Sequence, residues 1–427
     1  MNRNGAVNPQ LTRRGLLAAG GAVVLGTVGG CAAATSGSAE VGDLATPAAP
    51  ASPTASAVET ATAATAPASA TRAISFYGQH QAGVETAPAT WQTFLGLDLA
   101  HDHGQAARND GEALLRLVSD DAARLTAGEA ALGDTEPQLA ADPANLTITV
   151  GLGRPFFRKT DTFEQMPEQL AVIPKFTTDA FEDPWGQTDV LLQVGCDDPL
   201  VLSHAIRMLT KDTSTVAHVR WTQPGFRSGV PSNPGSATTR NLMGQVDGTI
   251  NPAAGTADFE SIVWIDQPGR WQGGTILVLR RIRMLLDTWD ALDPTTKEVV
   301  IGRTLDTGAP LGGTSETDPV PFDAVDSDGL PVIPADSHIA VAHATTAAES
   351  ILRRPYSYDN GMRDGTNDMG LLFAAYMRDP RTSYIPMQQR VASSDAFNRW
   401  NTTIGSASYA LPPGAAEGGY IAEGLFA

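Results

Sequence analysis

The chain has 427 residues, of which 42% are hydrophobic and 18% charged, so it can bury a core of two or three domains and is not disordered throughout. Its 47 acidic and 29 basic residues give a formal net charge of -18, which argues against nucleic acid or an anionic membrane as the main partner. Two cysteines exclude a disulfide-rich scaffold and a metal centre with four cysteine ligands.

Residues 1–31 have the pattern of a twin-arginine signal peptide. Arg13 and Arg14 stand directly before an apolar, Gly- and Ala-rich run that ends near Gly30. The run has about 15 residues, too few to cross a bilayer as a helix, for which about 20 are needed. We therefore expect export by the twin-arginine translocase to the cell envelope or the medium. Proteins on this route fold before they cross, and often carry a cofactor.

Cys31 ends the sequence Val-Gly-Gly-Cys, which resembles a lipobox. Two outcomes stay open. Cleavage before Cys31 would allow a lipid to attach to its sulfur and hold the protein at the membrane, whereas cleavage within residues 32–34 would release it. In both cases one free thiol remains, that of Cys196, and its apolar neighbours predict a buried side chain.

Residues 32–71 form a predicted flexible linker. They consist mainly of Ala, Thr, Ser and Pro, and they cannot bury enough apolar surface to offset the entropy lost on ordering. Positive and negative charges cancel within residues 1–71, so the whole net charge belongs to residues 72–427.

The first folded domain is predicted over residues 72–235, with the order strand, helix, strand, strand, helix, strand. These elements are predicted at Trp91–Leu99, Ala106–Ala127, Leu146–Leu152, Val190–Val194, Pro199–Leu209 and His218–Trp221.

The second domain, over residues 236–427, repeats this order with insertions. Strands are predicted at Ser261–Ile265, Thr275–Leu279, Tyr356–Tyr358, Gly370–Tyr376 and Ala407–Leu411, and helices at Trp289–Val300 and Met387–Trp400. Two such repeats predict an α+β protein, a duplicated ferredoxin-like sandwich. Antiparallel sheets with helices on one face leave the opposite faces free to enclose a ligand.

Few residues can carry chemistry. The sequence lacks a Cys/His zinc spacing, a GxSxG elbow, a P-loop and a GxGxxG turn. The sequence His101-Asp102-His103 is more typical of a polar turn than of a metal pair.

Three segments stand out. Residues 241–249 hold Asp247 between two glycines, a pattern that lets the backbone approach a flat ligand but that also fits an ordinary Asx turn. Residues 336–339 carry His338 after a loop. Residues 351–361 place an arginine pair beside aromatic residues, as in an anion clamp.

Together the three segments resemble the dye-decolorising peroxidases, exported haem enzymes of the class that includes the bacterial deferrochelatase/peroxidase proteins. The family's Gly-x-x-Asp-Gly motif is Gly244–Gly248 here, and similarity extends over roughly residues 74–425. The resemblance implies the duplicated ferredoxin-like fold with one haem b per chain between its sheets. It implies hydrogen peroxide as the oxidant and dyes or phenolic compounds as donors, oxidised in one-electron steps through high-valent iron. A haem-binding protein that releases iron from haem for iron acquisition is the alternative function.

The same resemblance assigns roles to residues on the two faces of the haem. His338 is the implied iron ligand, with His343 as its rival, and Asp395 accepts a hydrogen bond from the ligand's second nitrogen. Ala340 stands where the family usually has arginine, so either a contact to a haem propionate or a surface charge is expected to be lost.

On the opposite face, Asp247 is expected to move a proton between the two peroxide oxygens. Gly248, the next residue of the motif, is expected to lie beside the haem. Arg353 is expected to contact the haem and to supply a fixed positive charge, and Arg354 is the alternative. Asn241 and Ser337 receive no role.

Bulky donors that cannot reach the haem would require an electron relay through tryptophan or tyrosine. Five residues are candidates, although core packing is the favoured role for each: Trp264, Trp271, Tyr376, Tyr384 and Trp400. The acidic surface favours cationic or neutral donors at neutral pH. For anionic dyes it predicts an acidic optimum, where carboxylates are partly neutralised.

Overall fold

The computed structural model describes residues 72–183, 185–236, 238–363 and 365–426. The predicted signal peptide, lipobox and linker therefore lie outside the described residues. Within those residues, no helix combines the length and the apolar character needed to cross a membrane.

The first half contains every element predicted for it, with small shifts at the ends. In chain order the elements are β1 (Trp91–Leu99), α1 (Gly104–Thr126), β2 (Thr147–Gly153), α2 (Arg154–Lys159), β3 (Val190–Cys196), α3 (Pro199–Asp212) and β4 (Ala217–Phe226). Helix α3 begins where a proline follows Asp198, whose carboxylate accepts hydrogen bonds from the N–H groups of Leu200 and Val201. Helix α2 was not predicted, because six residues carry too little periodicity.

The second half is longer and less regular. Its elements are β5 (Thr239–Arg240), β6 (Val246–Asp247), α4 (Ala257–Val263), β7 (Thr275–Met284), α5 (Leu286–Asp290), α6 (Pro294–Ile301), α7 (His338–Ala342), β8 (Leu352–Arg353), β9 (Tyr356–Arg363), β10 (Thr366–Met377), α8 (Tyr384–Ser394) and β11 (Asn401–Leu411).

Two predictions for this half were wrong. Ser261–Ile265 was expected to be a strand but lies mainly in helix α4, where Phe259 and Val263, four residues apart, are buried on one face. The single helix expected over Trp289–Val300 is divided into α5 and α6. The division follows from Pro294, which starts a helix readily but cannot continue one.

The strand order confirms the duplicated α+β fold. The first half has the order β4-β1-β3-β2 and the second β9-β10-β7-β11, all antiparallel, so each half shows the ferredoxin-like arrangement. The two sheets join where β2 meets β11 and where β4 meets β9, and together they form a closed ring. Strand β10 pairs with β9 as far as Leu372, and beyond that point its residues Ala375 and Tyr376 pair with β8.

Alternating side chains divide the core into two layers. On β1, Phe94 points into the ring, where it packs with side chains of both sheets, whereas Leu95 and Leu97 belong to the cluster under helices α1 and α3. Cys196 belongs to the outer cluster and is fully buried, as predicted, and burial raises the pKa of its thiol to about 11. The candidate site residues lie outside these two layers, on the irregular segments of the second half.

Candidate active site

Asp247 lies on a short hairpin built from β5 and β6. Asn241 shapes its turn, because the side-chain oxygen of Asn241 accepts a hydrogen bond of 3.0 Å from the N–H of Met243. The Asx turn considered from the sequence is therefore present, and it gives Asn241 a structural role. Gly244 and Gly248 have φ values of +78° and +96°, which other residues adopt only with strain. These two glycines fix where the chain enters and leaves the strand that carries Asp247.

Arg353 reaches Asp247 from strand β8. Its Nη1 lies 3.5 Å from Oδ1 of Asp247, and both side chains are partly exposed. Arg354 is the next residue along the chain and points the other way, as expected for neighbours in an extended segment. Its guanidinium is buried and donates to the carbonyl oxygens of Val84 and Thr86. The structure thus brings Arg353, and not Arg354, to Asp247.

His338 and Asp395 form the second pair. Nδ1 of His338 lies 2.6 Å from Oδ2 of Asp395, whose side chain is only 1% exposed. The other carboxylate oxygen of Asp395 accepts a hydrogen bond of 2.8 Å from the N–H of Phe397, and the Phe397 ring packs against the imidazole. Because Nδ1 faces a carboxylate, it carries the proton. Nε2 is left with its lone pair, and no described residue bonds to it.

His343, the rival ligand, is held differently. Its Nδ1 lies 2.6 Å from the carbonyl oxygen of Ala340, and its ring packs against Phe322. No described carboxylate contacts the imidazole of His343. Ser337, which received no role from the sequence, bonds within the turn before α7, where its hydroxyl donates to the carbonyl oxygen of Pro334.

One loop, residues 302–308, contacts both pairs. At its start, Gly302 has a φ of +86°, and a Cβ there would lie 2.2 Å from Ile339, beside His338. At its end, a Cβ on Gly308 would lie 2.8 Å from Val246, beside Asp247. Arg240 of the hairpin donates to the carbonyls of Leu305 and Asp306 in the same loop. The two pairs are therefore held against a common segment.

Positive charge is in excess around Asp247. Burial lowers the pKa of Arg227, and the charge of Arg354 lowers it further. Burial and the charge of Arg353 likewise lower the pKa of Arg303. Buried cations in such a group favour an anionic ligand. Haem has two anionic propionate groups, which suit these cations, and an iron atom, which suits the free Nε2 of His338. The residues present therefore fit this cofactor.

Glu316 was missed by the sequence analysis. It is buried, and burial alone would raise its pKa, but hydrogen bonds from neutral side chains outweigh burial and hold the pKa below its usual value. The donors are Thr238, Asn233, Thr249 and Ser236. Thr249 follows the Asp247-Gly248 pair directly, so Glu316 anchors the hairpin. No local motif marks Glu316, since its donors come from a different segment.

The aromatic residues considered as relays lie mostly in the core. Trp264, Tyr376 and Tyr384 are buried, and the Trp264 ring is stacked on that of His80 at 3.9 Å. Trp271 and Trp400 are partly exposed. In the sequence His101-Asp102-His103, His101 pairs with Asp110, and Asp102 forms an ion pair with Lys159.

Comparison with known families gives two matches that together cover most of the described chain. The model for the N-terminal part of Dyp-type peroxidases matches residues 81–227, and the model for their C-terminal part matches residues 238–416.

Individual proteins show the same similarity. The chain is 40% identical to a Dye-decolorizing peroxidase of Thermobifida fusca over 366 residues, which are 81% of this chain and 83% of that protein. It is 34% identical to a Deferrochelatase of Escherichia coli K12 over 361 residues, covering 79% and 84% of the two chains. The crystal structure of a DyP-type peroxidase from Cellulomonas bogoriensis is 41% identical and superposes with a TM-score of 0.79, over 83% of this chain and 98% of that one.

A partly buried ion pair fastens the helix that leads to Asp395. Arg390 of α8 donates to both carboxylate oxygens of Glu349, at 3.0 and 2.8 Å, and to the carbonyl oxygen of His343. The hydrogen bonds from Arg390 lower the pKa of Glu349 to about 2, although burial opposes the shift. The folded state therefore favours the ionised carboxylate.

We predict that Glu349→Gln lowers the free energy of unfolding by about 1–3 kcal/mol at pH 7, because charge-assisted hydrogen bonds are lost. The folded pKa lies below the ordinary value of 4.5, so the contribution is complete above that value and disappears as the pH falls towards 2. Urea unfolding across this range measures the effect. Glu129→Gln, a change at an exposed position, is the control. A difference between Glu349→Gln and the unsubstituted protein that persists unchanged at pH 2–3 would contradict the prediction.

Proposed function

This chain belongs to the Dyp-type peroxidase family, and from that premise we propose that Asp247, Arg353, His338 and Asp395 form its active site. The protein is a haem-dependent peroxidase that reduces hydrogen peroxide and oxidises dyes or other aromatic donors. The observation that supports these four residues is their arrangement as two pairs, with the loop 302–308 packed against Ile339 beside His338 and against Val246 beside Asp247. One pair offers a carboxylate and a fixed cation, and the other a histidine with a free nitrogen.

When bound, haem supplies an iron centre that accepts two oxidising equivalents from peroxide and passes them on in one-electron steps. His338 would hold the iron through Nε2. Asp395 orients the imidazole by accepting a hydrogen bond from its Nδ1–H, and the negative charge of Asp395 makes the ring a stronger electron donor. Gly248 and Arg353 would border the cofactor on the other side.

Asp247 is suited to proton transfer. A peroxide molecule must lose a proton from one oxygen and gain one on the other before the bond between them breaks. One carboxylate can perform both steps when it lies within hydrogen-bonding reach of the two oxygens. Arg353 cannot lose its own proton, so it stabilises negative charge on the departing oxygen. Their separation of 3.5 Å leaves both groups directed at the same small volume.

We predict that His338→Ala abolishes normal haem ligation, because the alanine side chain has no donor nitrogen. Haem content and the Soret band of the purified protein measure the change. His343→Ala is the matched control and is expected to keep both, since its imidazole lies against Ala340 and Phe322. The opposite result would transfer the ligand role to His343.

We predict that Asp247→Ala and Arg353→Leu each slow the reaction with hydrogen peroxide by about a hundredfold or more, as expected for loss of acid–base or electrostatic catalysis. Stopped-flow absorbance measures this rate separately from donor oxidation. Asp266→Ala removes a surface carboxylate paired with Arg378 and should leave the rate unchanged. A variant of Asp247 that reacts with peroxide at the normal rate would refute its assigned role.

We further infer that the protein is exported by the twin-arginine pathway. The inference is supported by Arg13 and Arg14 directly before an apolar run, and by the need to fold around a cofactor before transport. Replacing both arginines by lysine should retain the protein in the cytoplasm on fractionation. Membrane attachment through Cys31 would be recognised by release into the soluble fraction on Cys31→Ser; equal fractionation of both proteins would exclude it.

A second candidate function is the removal of iron from haem, which is favoured by the similarity to the Deferrochelatase. The two functions differ in their product. Iron removal would yield metal-free porphyrin, detectable by chromatography after incubation with a chelator, whereas peroxidase turnover would leave the haem intact and oxidise the donor.

A further inference from the structure

Asn251 makes an unusual set of contacts beside the Asp247–Arg353 pair. Its side-chain oxygen accepts a hydrogen bond of 3.0 Å from the N–H of Arg353, and its side-chain nitrogen donates one of 2.6 Å to the carbonyl oxygen of Arg353. The carboxamide thus pairs with the main chain of Arg353 as a neighbouring strand would.

Strand β8 needs such a partner because only one of its edges is paired with another described strand. Strand β8 has two residues and is bonded to β10 along one edge, where Arg353 lies opposite Ala375. The N–H of Arg354 donates to the carbonyl of Ala374 on that same edge. The N–H and carbonyl of Arg353 face away from β10, and Asn251 satisfies both. Asn251 therefore completes the free edge at the residue whose side chain reaches Asp247.

Asn251 is also tied to the other member of the pair. Its own N–H donates to the carbonyl oxygen of Gly248, at 3.0 Å, closing a tight turn directly after Asp247. The hydroxyl of Thr249 within this turn donates to the buried carboxylate of Glu316, also at 3.0 Å. One short turn thus joins the backbone of Asp247 to that of Arg353.

The distance within the pair shows what this connection does. Charge-assisted hydrogen bonds between arginine and a carboxylate are usually about 2.7–2.9 Å long. Nη1 of Arg353 and Oδ1 of Asp247 are 3.5 Å apart, so the two groups have not closed into a tight ion pair. Their backbones are clamped, and the two side chains lie beside each other within hydrogen-bonding reach.

We propose that Asn251 is a positioning residue that couples Arg353 to Asp247 and keeps the two side chains beside each other, where both can act on one substrate. The proposal rests on the active site assigned above. Asn251 does not touch the reacting atoms itself; it acts through the main chain of Arg353 and the turn after Asp247.

The kinetic test is Asn251→Ala. Loss of the clamp should reduce the rate constant for reaction with hydrogen peroxide by about ten- to a hundredfold, the scale of effect caused by small misplacements of catalytic groups. Oxidation of the donor by enzyme that has already reacted with peroxide should be unchanged. Asn145→Ala is the matched control, because Asn145 is also half-buried and bonds to Asp197 in the other half of the chain. It should change neither rate.

A second measurement does not depend on the haem or on turnover. In protein prepared without haem, hydrogen exchange followed by mass spectrometry should show faster exchange in the segment 351–355 for Asn251→Ala, and no change there for Asn145→Ala. A crystal structure of Asn251→Ala should show a changed distance between Asp247 and Arg353.

The outcomes separate this proposal from the assignment of the active site. If Asp247→Ala retains normal reaction with peroxide, the assignment fails. If Asp247→Ala is impaired while Asn251→Ala reacts normally, or loses both rates equally, or exchanges normally in segment 351–355, the positioning role alone is overturned.

Discussion

Strand β7 is the constraint on which the site depends, because both of its edges are occupied. It pairs with β10 from Ile276 to Arg283 and with β11 along its whole length. Strand β10 then fixes the position of β8, and β8 carries Arg353. Gly370 on β10 allows this close pairing, since a Cβ there would lie 1.9 Å from the carbonyl oxygen of Ile282. The sheet therefore places the guanidinium of Arg353, although the residues around it belong to loops.

Strand β7 carries buried charge on both of its faces. Arg280 is buried in an ion pair with Asp179, and Arg281 lies between the rings of Trp185 and Tyr358 while bonding to Asp368. Removing one partner of such a pair would leave an uncompensated charge in the core, which is strongly destabilising. These residues fasten β7 to its surroundings through carboxylates, whereas Arg354 near Asp247 donates to the carbonyl oxygens of Val84 and Thr86.

Sequence patterns predicted the regular parts of this molecule and the identity of its two residue pairs, the latter through family resemblance. Strand β1 was predicted to the residue, because Leu95, Leu97 and Leu99 recur at every second position. Helix α4 was missed, since the apolar residues at its end resemble a short buried strand. Asn251 and Glu316 were also missed, because their partners are distant in sequence and no spacing relates them. The orientation of Arg353 and Arg354 required the register of β8 against β10.

The two joints of the ring are much shorter than the pairings inside each sheet. Strand β2 meets β11 through Gly153 and Leu152, opposite Tyr409 and Ala410, and β4 meets β9 through one residue pair. Few backbone hydrogen bonds therefore cross the joints, and the two sheets are held together mainly by the apolar side chains that they share inside the ring.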